Sequence, residues 1–252
     1  MKPVCLIIGA GAGIGGNVGK RFAAAGYHVV LCRRSDEEGL QAMVRDIEAA
    51  GGSASGRLLN AAAEDSIEEC VAAVEAEHGP IEVALYNLGA QIGNRSLEET
   101  SYKAFELGWR LGTFGLFRLA SVLCPFMAQR GKGSILVTSA TAAVRGNAGQ
   151  HSHAAAMGGR RMLCQTLNAQ YASQGVHVAH ILVDGAVDAP DTLGKMLGAE
   201  AFQALRDAPD YNLMQPSEMA ETYFHIAHQH RSAWTHELDL RAHSDVAWWN
   251  HA

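Results

Sequence analysis

The sequence predicts an α/β fold, a doubly wound parallel sheet of about seven strands with helices on both faces. Three observations predict it. Short apolar runs alternate with helical segments of ten or more residues, which is the pattern of βαβ units. A cluster of glycines follows the first apolar run directly. No linker, low-complexity tract or internal repeat interrupts the series, so residues 1–252 read as one domain. Right-handed crossovers would place a ligand crevice at the carboxyl ends of the strands.

The elements follow in order. Val4 to Ile8 is a β-branched apolar run, and after the glycines Val18, Phe22, Ala23 and Ala25 recur at helical spacing up to Gly26. Val29–Cys32 is the second strand. Leu40, Met43, Val44 and Ile47 then share one face of a helix over about 36–50, which Gly51-Gly52-Ser53 stops. A strand near Arg57–Leu59, a helix around Ile67–Glu77 and a strand at Ile81–Tyr86 continue the alternation. A long helical region covers about Tyr102–Gln129, followed by a strand at Ser134–Thr138, a helix over His153–Ala172 and a strand at Val176–Val183. An irregular helical segment over Asp191–Asp207, a helix near Glu218–Gln229 and a strand near His236–Leu240 complete the chain.

Composition excludes several classes. The 252 residues carry a formal charge of −6, which argues against a nucleic-acid partner because phosphate binding needs a basic surface. Cys5, Cys32, Cys70, Cys124 and Cys164 are odd in number and mostly inside apolar runs, which fits a reducing cytoplasm better than a disulfide framework. No apolar run reaches the roughly 18 residues of a membrane span, so no membrane partner is expected. Met1-Lys2-Pro3 leads straight into the first strand, and no signal peptide is expected. Histidine is the outlier, with 12 residues.

The stretch Gly9-Ala10-Gly11-Ala12-Gly13-Ile14-Gly15-Gly16 lies between a strand and a helix. Glycine allows positive φ and a close backbone approach to a pyrophosphate, and the following helix points N–H groups at it. This is a dinucleotide site, with Gly9, Gly11, Gly13, Ile14 and Gly15 in its loop. A ribose with a free 2′-hydroxyl usually meets an acid at the end of the second strand. Here the residues are Arg33 and Arg34, with no acid before Asp36. Guanidinium forks suit a 2′-phosphate, so NADP(H) is favoured over NAD(H).

These residues resemble the short-chain dehydrogenases/reductases over nearly the whole chain, which implies a Rossmann domain. Gly9-xxx-Gly13-x-Gly15 matches that family's glycine spacing. Tyr86-Asn87-Leu88-Gly89-Ala90 looks like its Asn-Asn-Ala-Gly motif, so the resemblance places Asn87 and Gly89 at the cofactor. Asn60-Ala61 stands where the family has an Asp-Val that meets the adenine. Asp184-Gly185-Ala186-Val187 stands where a Pro-Gly segment carries nicotinamide contacts, here including Val187. The Thr expected four residues after that glycine is Ala189. The resemblance also implies a homodimer or homotetramer and a helical lid over about 189–215, carrying Leu193, Met196, Leu197 and Phe202 above a small-molecule substrate.

The family's catalytic Asn, Ser, Tyr and Lys do not carry over. By spacing they fall on Gly112, Ala140, His153 and Met157, and no shift of frame restores a Tyr-Lys pair. The chain is similar in this to an atypical branch that lacks the Tyr and ends its sixth strand in Asp-Gly. His153 therefore stands at the proton donor's place. An imidazole exchanges protons near neutral pH without an activating lysine, with Ser139 or Thr141 as hydrogen-bond donors. The reading is an NADP(H)-dependent oxidoreductase acting on a small or medium apolar carbonyl or imine, where a protonated iminium needs little acid help. The alternatives are a cofactor-binding protein without redox turnover, as sensor or partner subunit, and a non-redox lyase or isomerase in the same crevice. His225, His228 and His230 read as a solvated helix end, and His177 and His180 point to opposite faces of a strand.

Overall fold

Val4–Ile8 (β1) is buried along its whole length, as a central strand covered on both faces must be. The structure, a computed structural model, describes residues 2–89, 94–208 and 213–250. Around β1 lie His28–Arg33 (β2), Ser53–Leu58 (β3), Ile81–Tyr86 (β4), Gly133–Ala140 (β5), Val176–Val183 (β6) and, past two short strands, Glu237–Leu240 (β9). All pair in parallel in the order β3-β2-β1-β4-β5-β6-β9. The order reverses between β1 and β4, and a doubly wound sheet opens a ligand crevice beyond the strand ends at such a point. The two-residue strands Ala186–Val187 (β7) and Leu213–Met214 (β8) pair with each other outside this sheet.

Helices cover both faces. Ile14–Ala24 (α1), Glu37–Ala49 (α2) and Pro216–Ala227 (α9) bury Phe22, Leu40, Val44, Tyr223 and Ile226 on one side. Ser66–His78 (α3) and Gly115–Arg130 (α5) bury Val71, Leu119 and Leu123 on the other, where His151–Tyr171 (α6) adds Cys164 and Leu167. The strands at 81–86 and 176–183 have the predicted bounds.

Strand β3 begins four residues before the expected Arg57. Ser53, Ala54, Ser55 and Gly56 have weak intrinsic strand preference, yet each pairs with β2. His28 of β2 fixes that register, its Nδ1 lying 2.8 Å from Ser53 Oγ and its Nε2 3.1 Å from Ser55 Oγ. A Cβ on Gly56 would stand 2.8 Å from Leu40, so the glycine lets α2 settle onto the strand.

The long helical region is not uniform. Tyr102–Trp109 (α4) passes through a π-helical turn, Arg110–Phe114, before α5. The 102–130 stretch is long and apolar enough to cross a membrane by length and composition, contrary to the expectation from contiguous runs. Arg118 alone interrupts the apolar residues 111–128, without lowering their average enough. Over half of that apolar window is packed inside the fold.

Candidate active site

The glycine loop is shaped by close approaches. Gly9 has a φ of +100°, and a Cβ there would lie 2.8 Å from the Asn87 carbonyl oxygen. A Cβ on Gly15 would press on the Gly9 carbonyl, and one on Gly13 would lie 2.8 Å from Ala189 Cβ. Ile14 opens α1, whose first turn has no side-chain cap and no acidic residue, leaving its positive end to an anion. Asn87 ties the end of β4 to this loop, its backbone N–H donating to Ile8 at 2.8 Å and its Nδ2 to the Gly9 carbonyl at 2.9 Å. The residues therefore fit a dinucleotide, because the loop has room for backbone and none for side chains.

Beyond β2 the two arginines part. Arg33 is mostly buried and meets Asp36 Oδ2 and Asp191 Oδ2, each at 3.1 Å. Asp36 is the α2 N-cap, accepting from the Gly39 N–H at 3.0 Å. Arg34 is exposed. Asn60 is exposed past β3, with its Oδ1 accepting from Ala62 N–H at 3.3 Å, while Ala61 is buried. Gly89 is open beyond β4. Val187 pairs with Met214 and packs on the core beneath the crevice. Ala90, the last residue of the motif, lies outside the described residues.

At the ends of β5 and β6 lies a cavity of about 340 Å³ lined by His153, Thr141, Asn147, Gln150, Asp184 and Asp245, among others. His153 is in the first turn of α6 and half-buried. Burial, and then the Arg160 guanidinium, hold its pKa below the ordinary imidazole value, so the ring is neutral at pH 7. Its Nδ1 is buried without a hydrogen-bond partner among the described residues.

Ser139 is buried with its hydroxyl 3.8 Å from Met157 Sδ, because that side chain faces inward under α6. Thr141, two residues on and past the strand end, lines the cavity instead. Of the segment expected as a lid over about 189–215, residues 209–212 lie outside the described residues, and Leu193, Met196, Leu197 and Phe202 do not line this cavity, which Asp245 and Val246 of the C-terminal segment do. Asp184 anchors that segment, accepting from Arg241 Nη1 at 2.8 Å and from Trp248 N–H at 3.0 Å. The pull on the tail thus comes from a buried carboxylate that sequence reading had treated as a backbone landmark.

Arg160 is the residue that sequence reading missed. It is fully buried, with no carboxylate partner among the described residues, and its Nε donates to Gly112 at 2.6 Å and its Nη2 to Leu88 at 2.8 Å. Nη1 donates to the Thr138 carbonyl. The guanidinium thereby joins α6, the π turn, β5 and the chain just past β4. Tyr86, also buried, donates to the Leu111 carbonyl at 2.6 Å. The Leu111 and Gly112 carbonyls both belong to the π turn. The signal was a charge on the apolar stripe of α6, between Ala156, Met157 and Cys164.

The remaining histidines are mostly structural. His177 stacks on Trp234 and bonds the Thr235 carbonyl, while His180 Nδ1 lies 3.0 Å from Glu237. His228 packs between Phe224 and Tyr27. Among the described residues no cluster has a metal-binding set.

Comparison with known proteins agrees with the fold and the loop. The family model for short chain dehydrogenase matches residues 3–193. The chain is 30% identical over 232 residues to the short-chain reductase protein NovJ of Streptomyces niveus, covering 90% of this chain and 87% of that one. It is 27% identical over 224 residues to the 3-oxoacyl-[acyl-carrier-protein] reductase FabG of Thermotoga maritima, covering 89% of each. A crystal structure of a short-chain dehydrogenase from Rhodopseudomonas palustris superposes with a TM-score of 0.79 at 31% identity, covering 95% of this chain and 98% of that one. With its seven-stranded parallel sheet and glycine cradle, the chain belongs to the short-chain dehydrogenase/reductase family of nicotinamide-dependent oxidoreductases.

Proposed function

We propose that the protein is an NADP(H)-dependent reductase of a small carbonyl or imine, with His153 as the proton-exchanging side chain. The observation that carries this reading is an imidazole lining a cavity at the crevice of a dinucleotide-binding sheet, a ring that would take a proton from solvent and pass it to the carbonyl oxygen as its imidazolium form. The bound nicotinamide supplies or takes the hydride. Arg33 would hold the 2′-phosphate, with the exposed Arg34 beside it, and the glycine loop with the α1 N-terminus would hold the pyrophosphate. Val187, Asn87 and Gly89 would serve the nicotinamide half, and Asn60 and Ala61 the adenine. His153 exchanges a proton with the reacting group, and Thr141 orients it.

The cavity's charged lining is acidic. Asp245 contributes a carboxylate, and the Asp184 carboxylate beside it is already paired with Arg241 at 2.8 Å. That favours a substrate carrying positive charge, such as an iminium, over the purely apolar one expected from the lid residues. It also suits a site without the family's lysine, since an iminium arrives already protonated.

We further propose a cytoplasmic homodimer or homotetramer. All five thiols are free and buried, as a reducing compartment allows. Trp109, Phe114, Phe117 and Phe126 of the α4–α5 region stand exposed, an apolar surface that a second copy would cover.

The test is a titration with NADPH followed by nicotinamide fluorescence, then a panel of carbonyls and cyclic imines. Binding with turnover of imines ahead of ketones is expected. NADPH binding with no turnover on any member would instead favour a cofactor-binding protein, and no binding at all would end the dinucleotide reading.

A further inference from the structure

The segment after β7 is fastened to the glycine loop by a single side chain. Asp191 Oδ2 accepts from the Ala12 backbone N–H at 3.1 Å and from Arg33 Nη2 at 3.1 Å. It lies 3.7 Å from where a Cβ on Gly11 would stand. Lys195 Nζ is 3.8 Å from the other carboxylate oxygen, and Ala189 fills the space in front of Gly13. The other edge of the Arg33 guanidinium holds Asp36, which also caps α2.

A loop N–H and a guanidinium converging on one anionic oxygen is the donor set that a 2′-phosphate needs. Asp191 occupies it with a carboxylate. Two anions repel in one such site, so a phosphate can enter only as Asp191 leaves. Asp36 is the worse candidate to leave, because its departure would also uncap a helix. Asp191 belongs to the Pro190–Gly194 turn, which with Lys195–Leu197 (α7) forms a strap across the loop. A neutral 2′-hydroxyl has no charge with which to displace it.

We propose that Asp191 is an internal competitor for the 2′-phosphate subsite, and that nucleotide carrying this phosphate releases the Ala189–Leu197 strap. Asp191 is thus a specificity-determining residue as well as a latch. The proposal rests on the NADP(H) reading of Arg33. The apparent dissociation constant of a ligand equals its intrinsic value divided by the open fraction, so a latch closed ten to one weakens binding about tenfold.

The experiment uses the full chain, with 2′,5′-ADP and 5′-ADP as probes in calorimetric titrations of wild type and Asp191→Asn. Wild type should bind 2′,5′-ADP more tightly than 5′-ADP, and Asp191→Asn should tighten 2′,5′-ADP by about fivefold or more while leaving 5′-ADP within about twofold. Trypsin gives a structural readout at the Lys195–Met196 bond. Cleavage in wild type should accelerate when 2′,5′-ADP is added, and in Asp191→Asn it should be fast from the start. A wild type that prefers 2′,5′-ADP, paired with an Asn variant that binds it equally or more weakly, overturns the latch and leaves the NADP(H) reading standing. A wild type with no preference for the 2′-phosphate overturns both.

Discussion

Arg160 Nε donates to the carbonyl oxygen of Gly112 at 2.6 Å, and so joins the middle of α6 to the π turn at the mouth of the crevice. Gly112 is the position at which the sequence pattern leads one to expect the family's asparagine. Its backbone is held here by a buried charge. We expect Arg160→Leu to leave three carbonyls, those of Gly112, Leu88 and Thr138, short of donors and to cost about 3 kcal/mol or more in urea unfolding. Arg160→Lys, keeping the charge but losing the fork, should fall between.

His153→Ala should reduce turnover of a ketone by about a hundredfold or more, and turnover of a preformed iminium by far less. Steady-state kinetics on matched substrates checks this. Equal losses on both would show that the imidazole positions substrate instead of exchanging protons.

The protein should lose stability in acid before its carboxylates titrate. His28, His153, His177 and His180 are each held below the ordinary imidazole pKa, burial being the largest cause, and His180 falls to about 4. The unfolded chain binds these protons first, so stability is full above about pH 6.5 and falls as pH drops toward 4. His180 alone would account for up to about 3 kcal/mol across that window. Thermal melts between pH 4 and 8 should show the slope, and His180→Gln should flatten it.

Gly15→Ala places a methyl against the Gly9 carbonyl. The loop must shift by backbone movement, which should weaken NADPH binding more than tenfold and cost about 1–3 kcal/mol. Fluorescence titration and melting of the same variant separate the two effects.

Phe117→Glu puts a charge on the exposed face of α5, beside the stacked Phe114 ring. Light scattering should show a smaller assembly for this variant, with NADPH binding by each chain retained.

Ser139 and Thr141 show how far sequence reading reached. Both were named beside His153, and only depth separates them: one lies under α6 and the other at the strand end. Likewise β3 was placed late because Ser53–Gly56 has little intrinsic preference for a strand, and its pairing with His28 is a contact between distant residues.

The sequence by itself determined the parallel sheet and the glycine loop. Periodicity, φ requirements and spacing are local properties, and local properties are written in the order of residues. Only the tertiary structure decided that Arg160 clamps Gly112, Leu88 and Thr138, that Asp191 sits between Arg33 and Ala12, and that Asp184 and Asp245 wall the cavity. These partners are 22 or more residues apart in the chain. A charge finds its partner by geometry, and that geometry exists only once the strands are paired and the helices packed on them.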